Sequence, residues 1–155
     1  MAARKDSEPM QALSVPDVLP GILVLHRSLG VLVHLTCEQD TPCLLWAQRF
    51  TENEQSVLLP LFAWHPDYCP LEVMLASFLG STSDTAIARA RKQLYAAMDT
   101  GEVEILLRPM RNVLSRVRIK LREAGLEIAT LVSLGYLLKS VRRTAPFAIG
   151  KEVNI

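Results

Sequence analysis

The stretch that decides the fold runs from Ser115 to Leu138, with the sequence SRVRIKLREAGLEIATLVSLGYLL. Its first part predicts a basic helix that ends at Gly125, because glycine is common just beyond a helix C-terminus. Its second part predicts two short strands joined around Ser133-Leu134-Gly135. A basic helix followed directly by an apolar β-hairpin is therefore expected.

The basic helix is predicted over about residues 109–124, beginning at Pro109, since proline is favoured in the first turn of a helix. No Asp or Glu occurs between Leu106 and Arg122, so its cations lack i,i+4 partners. A helix that enters the DNA major groove meets phosphates and base edges, which suits such a surface. Apolar residues at helical spacing give it one face that can pack on a core: Met110, Val113, Leu114, Val117 and Leu121.

Upstream of this helix the sequence predicts a sheet and three further helices. Two β-runs occupy residues 21–38 and a third occupies residues 43–50. The expected helix starts are a capping box at Thr51 and Glu54, Pro70 in a first turn, and Ser83 or Asp84. The prediction is an α+β fold with an N-terminal antiparallel β-sheet, a helical core and a C-terminal β-hairpin. It divides the chain into a flexible lead at 1–17, one domain at 18–143 with a helix at 84–99, and a tail at 144–155.

Composition limits the class of protein. The chain has 155 residues, of which 50% are hydrophobic and 21% are charged, so one folded domain is expected. The polar start has no apolar core of a secretory signal, and the apolar run at 18–35 is too short and too interrupted to span a bilayer. A soluble cytoplasmic protein without a membrane partner is expected.

The near-neutral total charge hides a strong asymmetry. Residues 1–85 carry four Lys or Arg against ten Asp or Glu, whereas residues 86–143 carry twelve against five. A basic half of this kind is typical of a protein with a polyanionic partner. Scattered solvated charge is the alternative explanation, so the asymmetry alone favours nucleic acid only modestly.

Signals for catalysis and for cofactors are weak. The sequence contains no phosphate-binding loop, nucleophile elbow or paired-carboxylate motif, so neither an enzyme nor a cofactor is expected. Three cysteines, Cys37, Cys43 and Cys69, form no C-x-x-C pair. A zinc-based or thiol-based sensor built from them stays a third hypothesis, although reduced, half-buried thiols fit the spacing better.

These motifs together resemble a known family, the OmpR/PhoB-type winged-helix DNA-binding domain. That family's recognition helix carries Ser-Arg-Leu-Arg-Arg-Lys-Leu, and its wing carries Thr-Val-Arg-Gly-Val-Gly-Tyr-Arg-Leu. The segment FTENEQSVLLPLFAWHPDYCPLEVML is similar to the family's first helix, turn and second helix. Direct matches in the helix and wing are Ser115, Arg116, Arg118, Lys120, Leu121, Gly125, Thr130, Gly135, Tyr136 and Leu138.

The chain also departs from the family pattern. The segment 80–108 is longer than the family's link between its second and recognition helices, so the polymerase contact made there by some members cannot be transferred. Ile119, Val132 and Leu137 stand where the family carries arginine. Exposed apolar groups more often mark a protein contact than a DNA contact. No receiver domain is expected before the module.

The resemblance implies a stand-alone, bacterial-type transcription regulator that binds double-stranded DNA at the nucleoid. A protein-interaction module or adaptor that uses the apolar wing is the alternative. Self-association as a homodimer is expected, and RNA polymerase or another protein stays open as a partner. The residues expected to line the major groove are Arg111, Asn112, Ser115, Arg116 and Arg118. Those expected near phosphates are Lys120, Arg122, Lys139, Arg142 and Arg143.

Overall fold

The computed structural model describes residues 10–14 and 22–141. It confirms the α+β class, with an N-terminal antiparallel sheet, four helices and a C-terminal β-hairpin. The elements are β1 (Met10–Ser14), β2 (Ile22–His26), β3 (Val31–Glu38), β4 (Thr41–Arg49), α1 (Glu52–Trp64), β5 (Cys69–Pro70), α2 (Leu71–Leu79), α3 (Asp84–Thr100), α4 (Val103–Arg122), β6 (Leu126–Leu131) and β7 (Gly135–Ser140).

The N-terminal sheet has four antiparallel strands in the order β1-β2-β3-β4. The last three of these are the predicted β-runs. The first falls within the predicted flexible lead at 1–17, and for residues 10–14 that prediction is wrong. The reason is non-local, because all five residues of β1 pair with β2, from Met10 opposite His26 to Ser14 opposite Ile22.

The first helix begins with the predicted capping box. The Thr51 hydroxyl accepts a hydrogen bond from the backbone N–H of Glu54 at 3.2 Å. In return, the Glu54 carboxylate accepts one from the backbone N–H of Thr51 at 2.9 Å. Two N–H groups that the helix cannot pair internally are thereby satisfied.

The predicted hairpin is confirmed as β6 and β7, and β5 joins it to form a three-stranded sheet in the order β5-β7-β6. Gly135, at the start of β7, has a φ of +155°. A Cβ built there would lie 1.9 Å from the carbonyl oxygen of Cys69 on β5. Glycine is required at this point because no side chain fits between the two strands.

The third and fourth helices differ in how well the sequence predicts them. The third is as expected, since Ser83 caps α3 and Gly101 ends it in the left-handed conformation. The fourth begins at Val103, so the predicted start at Pro109 is wrong and the proline lies inside the helix. Its C-cap is Glu123 rather than Gly125.

Packing explains the earlier start of α4. Val103, Leu107 and Met110 follow at i, i+4 and i+7, which extends the apolar face by nearly two turns. Leu107 and Met110 are fully buried in the core that α4 shares with α1, α2 and the hairpin. Burial of these side chains offsets the one backbone hydrogen bond that Pro109 cannot donate. Within residues 10–14 and 22–141, no helix combines the length and the hydrophobicity needed to cross a bilayer.

Candidate nucleic-acid interface

The fourth helix has two sharply different faces. Its 20 residues give it a length of about 30 Å. Leu107, Met110, Val113, Leu114, Val117 and Leu121 are buried. The opposite face is a row of exposed residues at spacings of three and four, and we call it the outer row of α4: Arg108, Asn112, Ser115, Ile119 and Arg122.

The outer row carries cations and neutral side chains and no acid. Among the described residues, Arg108 and Arg122 form no ion pair, so their charges face solvent. The hydroxyl of Ser115 donates to the carbonyl of Arg111 at 3.1 Å, which leaves its oxygen lone pairs able to accept. This row is therefore accessible to an external ligand.

Beside the outer row, two cations of α4 converge on one buried carboxylate. Glu54 of α1 is only 2% exposed. The ammonium of Lys120 donates to its Oε1 at 2.6 Å, and the guanidinium of Arg116 lies 3.5 Å from its Oε2. Lys120 also donates to the backbone carbonyl of Arg49 at 2.8 Å and lies 5.1 Å from the centre of the Phe50 ring. These contacts tie α4 to the end of β4 and the start of α1.

The charge state of Glu54 follows from these contacts. Burial raises the pKa of the carboxyl, but the hydrogen bonds from Lys120 and from the Thr51 backbone, together with the charges of Lys120 and Arg116, outweigh burial. The pKa of Glu54 is therefore below its usual value of 4.5. The carboxylate is ionised at neutral pH and holds both cations in place.

Two further arginines of α4 have partners within the protein. Arg118 donates to the carbonyl of Ile128 at 3.3 Å and to the hydroxyl of Thr130 at 2.6 Å, which fixes the helix to β6 of the hairpin. Arg111 forms an ion pair with Glu104 at 2.6 Å. Because α4 begins before Pro109, this acid lies on the same helix two turns away.

The structure thus separates the ten predicted contact residues into groups. Asn112, Ser115, Arg122 and Lys139 are exposed. Four others also contact the protein itself, and these are Arg111, Arg116, Arg118 and Lys120. Arg142 and Arg143 lie outside the described residues. Sequence reasoning missed Arg108, because a helix that began at Pro109 would have left it in the preceding loop.

Three apolar residues stand where the resembling family carries arginine, and the structure exposes two of them and half-buries the third. Val132, at the hairpin turn, is 83% exposed, and Ile119, in the outer row, is 61% exposed. Leu137 is half-buried, so it is not part of a free apolar surface. Leu134, which the sequence did not single out, is 54% exposed beside Val132 in the turn.

The three cysteines lie in different environments. Thr36 is paired with Cys43, and Cys37 with Pro42, so Cys37 and Cys43 project from opposite faces of the sheet. Cys69 is buried in β5 of the other sheet, where burial raises its pKa to about 12. No group of three metal-ligating side chains occurs among the residues that the structure describes. The sensor hypothesis therefore has no assembled thiol site in this part of the chain.

The architecture is compatible with a winged helix of the OmpR type: a strand-rich N-terminal sheet, a helical core and a C-terminal hairpin beside a long basic helix. Comparison with known proteins gave no matching family model, no matching curated protein and no matching solved structure. The resemblance therefore rests on the sequence motifs and on this topology.

Proposed function

We propose that the protein binds double-stranded DNA, with α4 in the major groove and the β6–β7 hairpin beside it, and acts as a transcription regulator. The observation that carries the proposal is the outer row of α4, which presents Arg108 to Arg122 without an acid over about 21 Å. The major groove is about 12 Å wide and admits an α-helix.

The contacts within the protein suggest how roles divide along α4. Asn112 and Ser115, in the middle of the outer row, are placed to meet base edges through hydrogen bonds. Arg108 and Arg122, at its two ends, meet phosphates on either side of the groove, and so does Lys139 on the hairpin. Arg116 remains half-exposed beside them and reaches a base or a phosphate while Glu54 holds its other side.

Lys120 and Arg118 act mainly as positioning residues in this proposal. The ammonium of Lys120 already has two oxygen partners. Arg118 has its contacts on β6. By fixing the helix to α1 and to the hairpin, they set the angle at which the outer row meets DNA. A rigid helix loses less conformational entropy on binding.

The proposal is tested by measuring binding to duplex DNA by fluorescence anisotropy at several salt concentrations. Arg108→Gln and Arg122→Gln should each weaken binding to specific and random DNA alike, because each removes one phosphate contact. Lys92→Gln, which removes one charge from the exposed surface of α3, is the matched control and should change affinity less. Absence of binding at low salt, or an equal loss in the control, would refute the placement of α4.

Asn112→Ala separates readout of sequence from attraction to phosphate. It removes no charge, so random DNA should bind as before, whereas the preferred site should bind more weakly by about 1–3 kcal/mol. The preferred site is found first by selection from random duplexes.

A second candidate function is supported by the hairpin turn. Val132 and Leu134 are both exposed there, and such neighbouring apolar side chains suit contact with another protein. In that case the module binds a protein partner through its wing, and RNA polymerase is one partner the test should include. Val132→Ser with Leu134→Ser should then abolish the protein contact, while leaving any DNA affinity of α4 unchanged.

A further inference from the structure

On the outer face of the N-terminal sheet, β2, β3 and β4 present mostly apolar side chains. The pairing of β2, β3 and β4 places its side chains in rows, and alternation along each strand puts these rows on the face away from the core. Each row runs across β2, β3 and β4 in that order, and the rows are His26, Val31 and Arg49; Val24, Val33 and Ala47; and Ile22, Leu35 and Leu44. A last pair, Cys37 and Pro42, joins β3 and β4. We call this surface the outer sheet face.

The other side of the same sheet supplies the core. Leu23, Leu25 and Leu32 are fully buried there. No residue of the outer sheet face belongs to the core cluster or to the partly buried side chains packed against it, as far as the described residues show. Leu44, on the edge strand β4, is 62% exposed, and Ile22 is 44% exposed. Strands β2, β3 and β4 therefore lack the polar face that normally meets water.

The size of the face is sufficient for a weak interface. Three strands spaced by about 4.8 Å, with some 20 Å of length, give a flat patch of roughly 300 Å². Patches of this size on a soluble protein are commonly functional. A standard interface buries about 800 Å² per partner, so this patch on its own suits a reversible contact rather than an obligate one.

The charges at the two ends of β4 indicate which partner fits. Arg49 lies at one end of the strand, with Arg27 in the adjoining turn, and Asp40 lies in the turn at the other end. Leu44 is between them, four positions from Asp40 and five from Arg49. The face therefore has a positive end, an apolar centre and a negative end.

A second copy of the chain satisfies this arrangement. If two outer sheet faces pack about a two-fold axis that lies between them and runs across the strands, β4 of one copy lies antiparallel over β4 of the other. Leu44 then meets its equivalent near the axis, and Arg49 of each copy faces Asp40 of the other. Two sheets pack in this way about 10 Å apart, and the two-fold symmetry gives each ion pair twice.

We propose that the outer sheet face is a homodimer interface in which two copies pack face to face with the strands of β4 antiparallel. No residue of α4 belongs to the interface, so the proposal does not depend on DNA binding. It places self-association on the N-terminal sheet rather than on the hairpin or α3.

The first test is sedimentation equilibrium over a range of micromolar concentrations without DNA. Wild type should show a reversible monomer–dimer equilibrium. Leu44→Glu places a charge near the axis of the interface and should weaken the dimer at least tenfold. Leu79→Glu is the matched control, because Leu79 is 59% exposed at the end of α2 and does not belong to the outer sheet face. A monomer at every concentration overturns the proposal.

The second test concerns the ion pairs. Arg49→Glu should weaken the dimer by roughly threefold to tenfold, since it replaces two attractive surface pairs by repulsive ones. Adding Asp40→Lys should restore the wild-type dissociation constant. Asp40 has a φ of +65°, so circular dichroism must first show that the double variant is folded. A folded double variant that stays weakened contradicts the antiparallel arrangement.

The third test locates the interface with a thiol. Cys37 is exposed on the outer sheet face, and the second copy would cover it. Its rate of reaction with a bulky maleimide, read by peptide mass mapping, should fall as wild-type concentration rises and should stay constant in Leu44→Glu. Cys43, on the inner side, is the internal control. If the protein dimerises while Cys37 stays fully reactive, the dimer contact lies elsewhere. If Cys37 is protected even in the monomer, another segment covers the outer sheet face. Either result refutes the proposal.

Discussion

Replacing Glu54 by Gln should reveal how much one buried carboxylate contributes to the position of α4. Gln keeps an oxygen that can accept from the Thr51 backbone, so the capping box survives in part. It loses the negative charge that Lys120 meets at 2.6 Å and Arg116 at 3.5 Å. A hydrogen bond to a charged group contributes about 1.5–3 kcal/mol. A half-exposed pair such as that with Arg116 adds less than about 1 kcal/mol.

The expected cost is about 2 kcal/mol at pH 7, since the amide of Gln retains a neutral hydrogen bond to Lys120. For a protein of this size, that corresponds to a fall in Tm of about 4–8 °C. Urea unfolding followed by tryptophan fluorescence measures the free energy difference directly. Glu54→Asp, which keeps the charge but shortens the side chain, is a useful comparison.

The difference in stability between wild type and Glu54→Gln should depend on pH in a defined direction. The pKa of Glu54 is lower in the folded protein than its usual value of 4.5, so the folded state binds its proton less tightly. The stabilisation is therefore complete above about pH 4.5 and is lost as pH falls through the folded-state pKa. Wild type and Glu54→Gln should accordingly converge in stability at acidic pH.

Two results would refute this account. The first is a Glu54→Gln variant as stable as wild type at pH 7, and the second is a difference in stability that stays constant from pH 7 to pH 3. A double-mutant cycle with Lys120→Met gives the pairwise term, and we expect a coupling free energy of at least about 1 kcal/mol. Independent effects would show that Lys120 and Glu54 are near each other without stabilising each other.

Two further predictions concern the second sheet. Gly135→Ala should cost more than about 3 kcal/mol in urea unfolding, because its Cβ would meet the Cys69 carbonyl, whereas Gly101→Ala, with open space around it, should cost only about 1 kcal/mol. At pH 8, a small thiol reagent should modify Cys37 and Cys43 in the folded protein but reach Cys69 only after unfolding, since the pKa of that buried thiol is raised to about 12.

Local signals in the sequence predicted local structure well. The capping box at Thr51 was predictable because both hydrogen bonds lie within four residues. The turn between β6 and β7 was predictable because apolar runs flank a short segment that ends in Gly135. The start of α4 was not, since the local preference of Pro109 for a first turn competes with burial of Leu107, which depends on the whole fold.

The candidate site was less predictable than the fold, because its contacts join distant parts of the chain. Glu54 and Lys120 are 66 residues apart in sequence. Nothing in the local pattern around Glu54 shows that its carboxylate serves both the capping box and α4. The sequence showed that no acid lies between Leu106 and Arg122, but it could not show that a buried acid on α1 pairs with Lys120 and Arg116.

Some cations of α4 pair within the protein and others face solvent, and this difference sets how strongly salt should weaken the proposed DNA complex. If every cation of α4 met a phosphate, the slope of log K against log salt would be steep, at about −0.9 per contact. Lys120, Arg118 and Arg111 have partners within the protein, so they release few counterions on binding. Arg108, Arg122 and Lys139, with Arg116 in part, leave three to four contacts and a slope of about −3 to −4. In Glu54→Gln, Lys120 loses its ionic partner and keeps only neutral acceptors, so it can exchange toward a phosphate and should make the slope steeper by up to about one unit. An unchanged slope in that variant, with binding retained, would show that Glu54 does not restrain Lys120 from DNA.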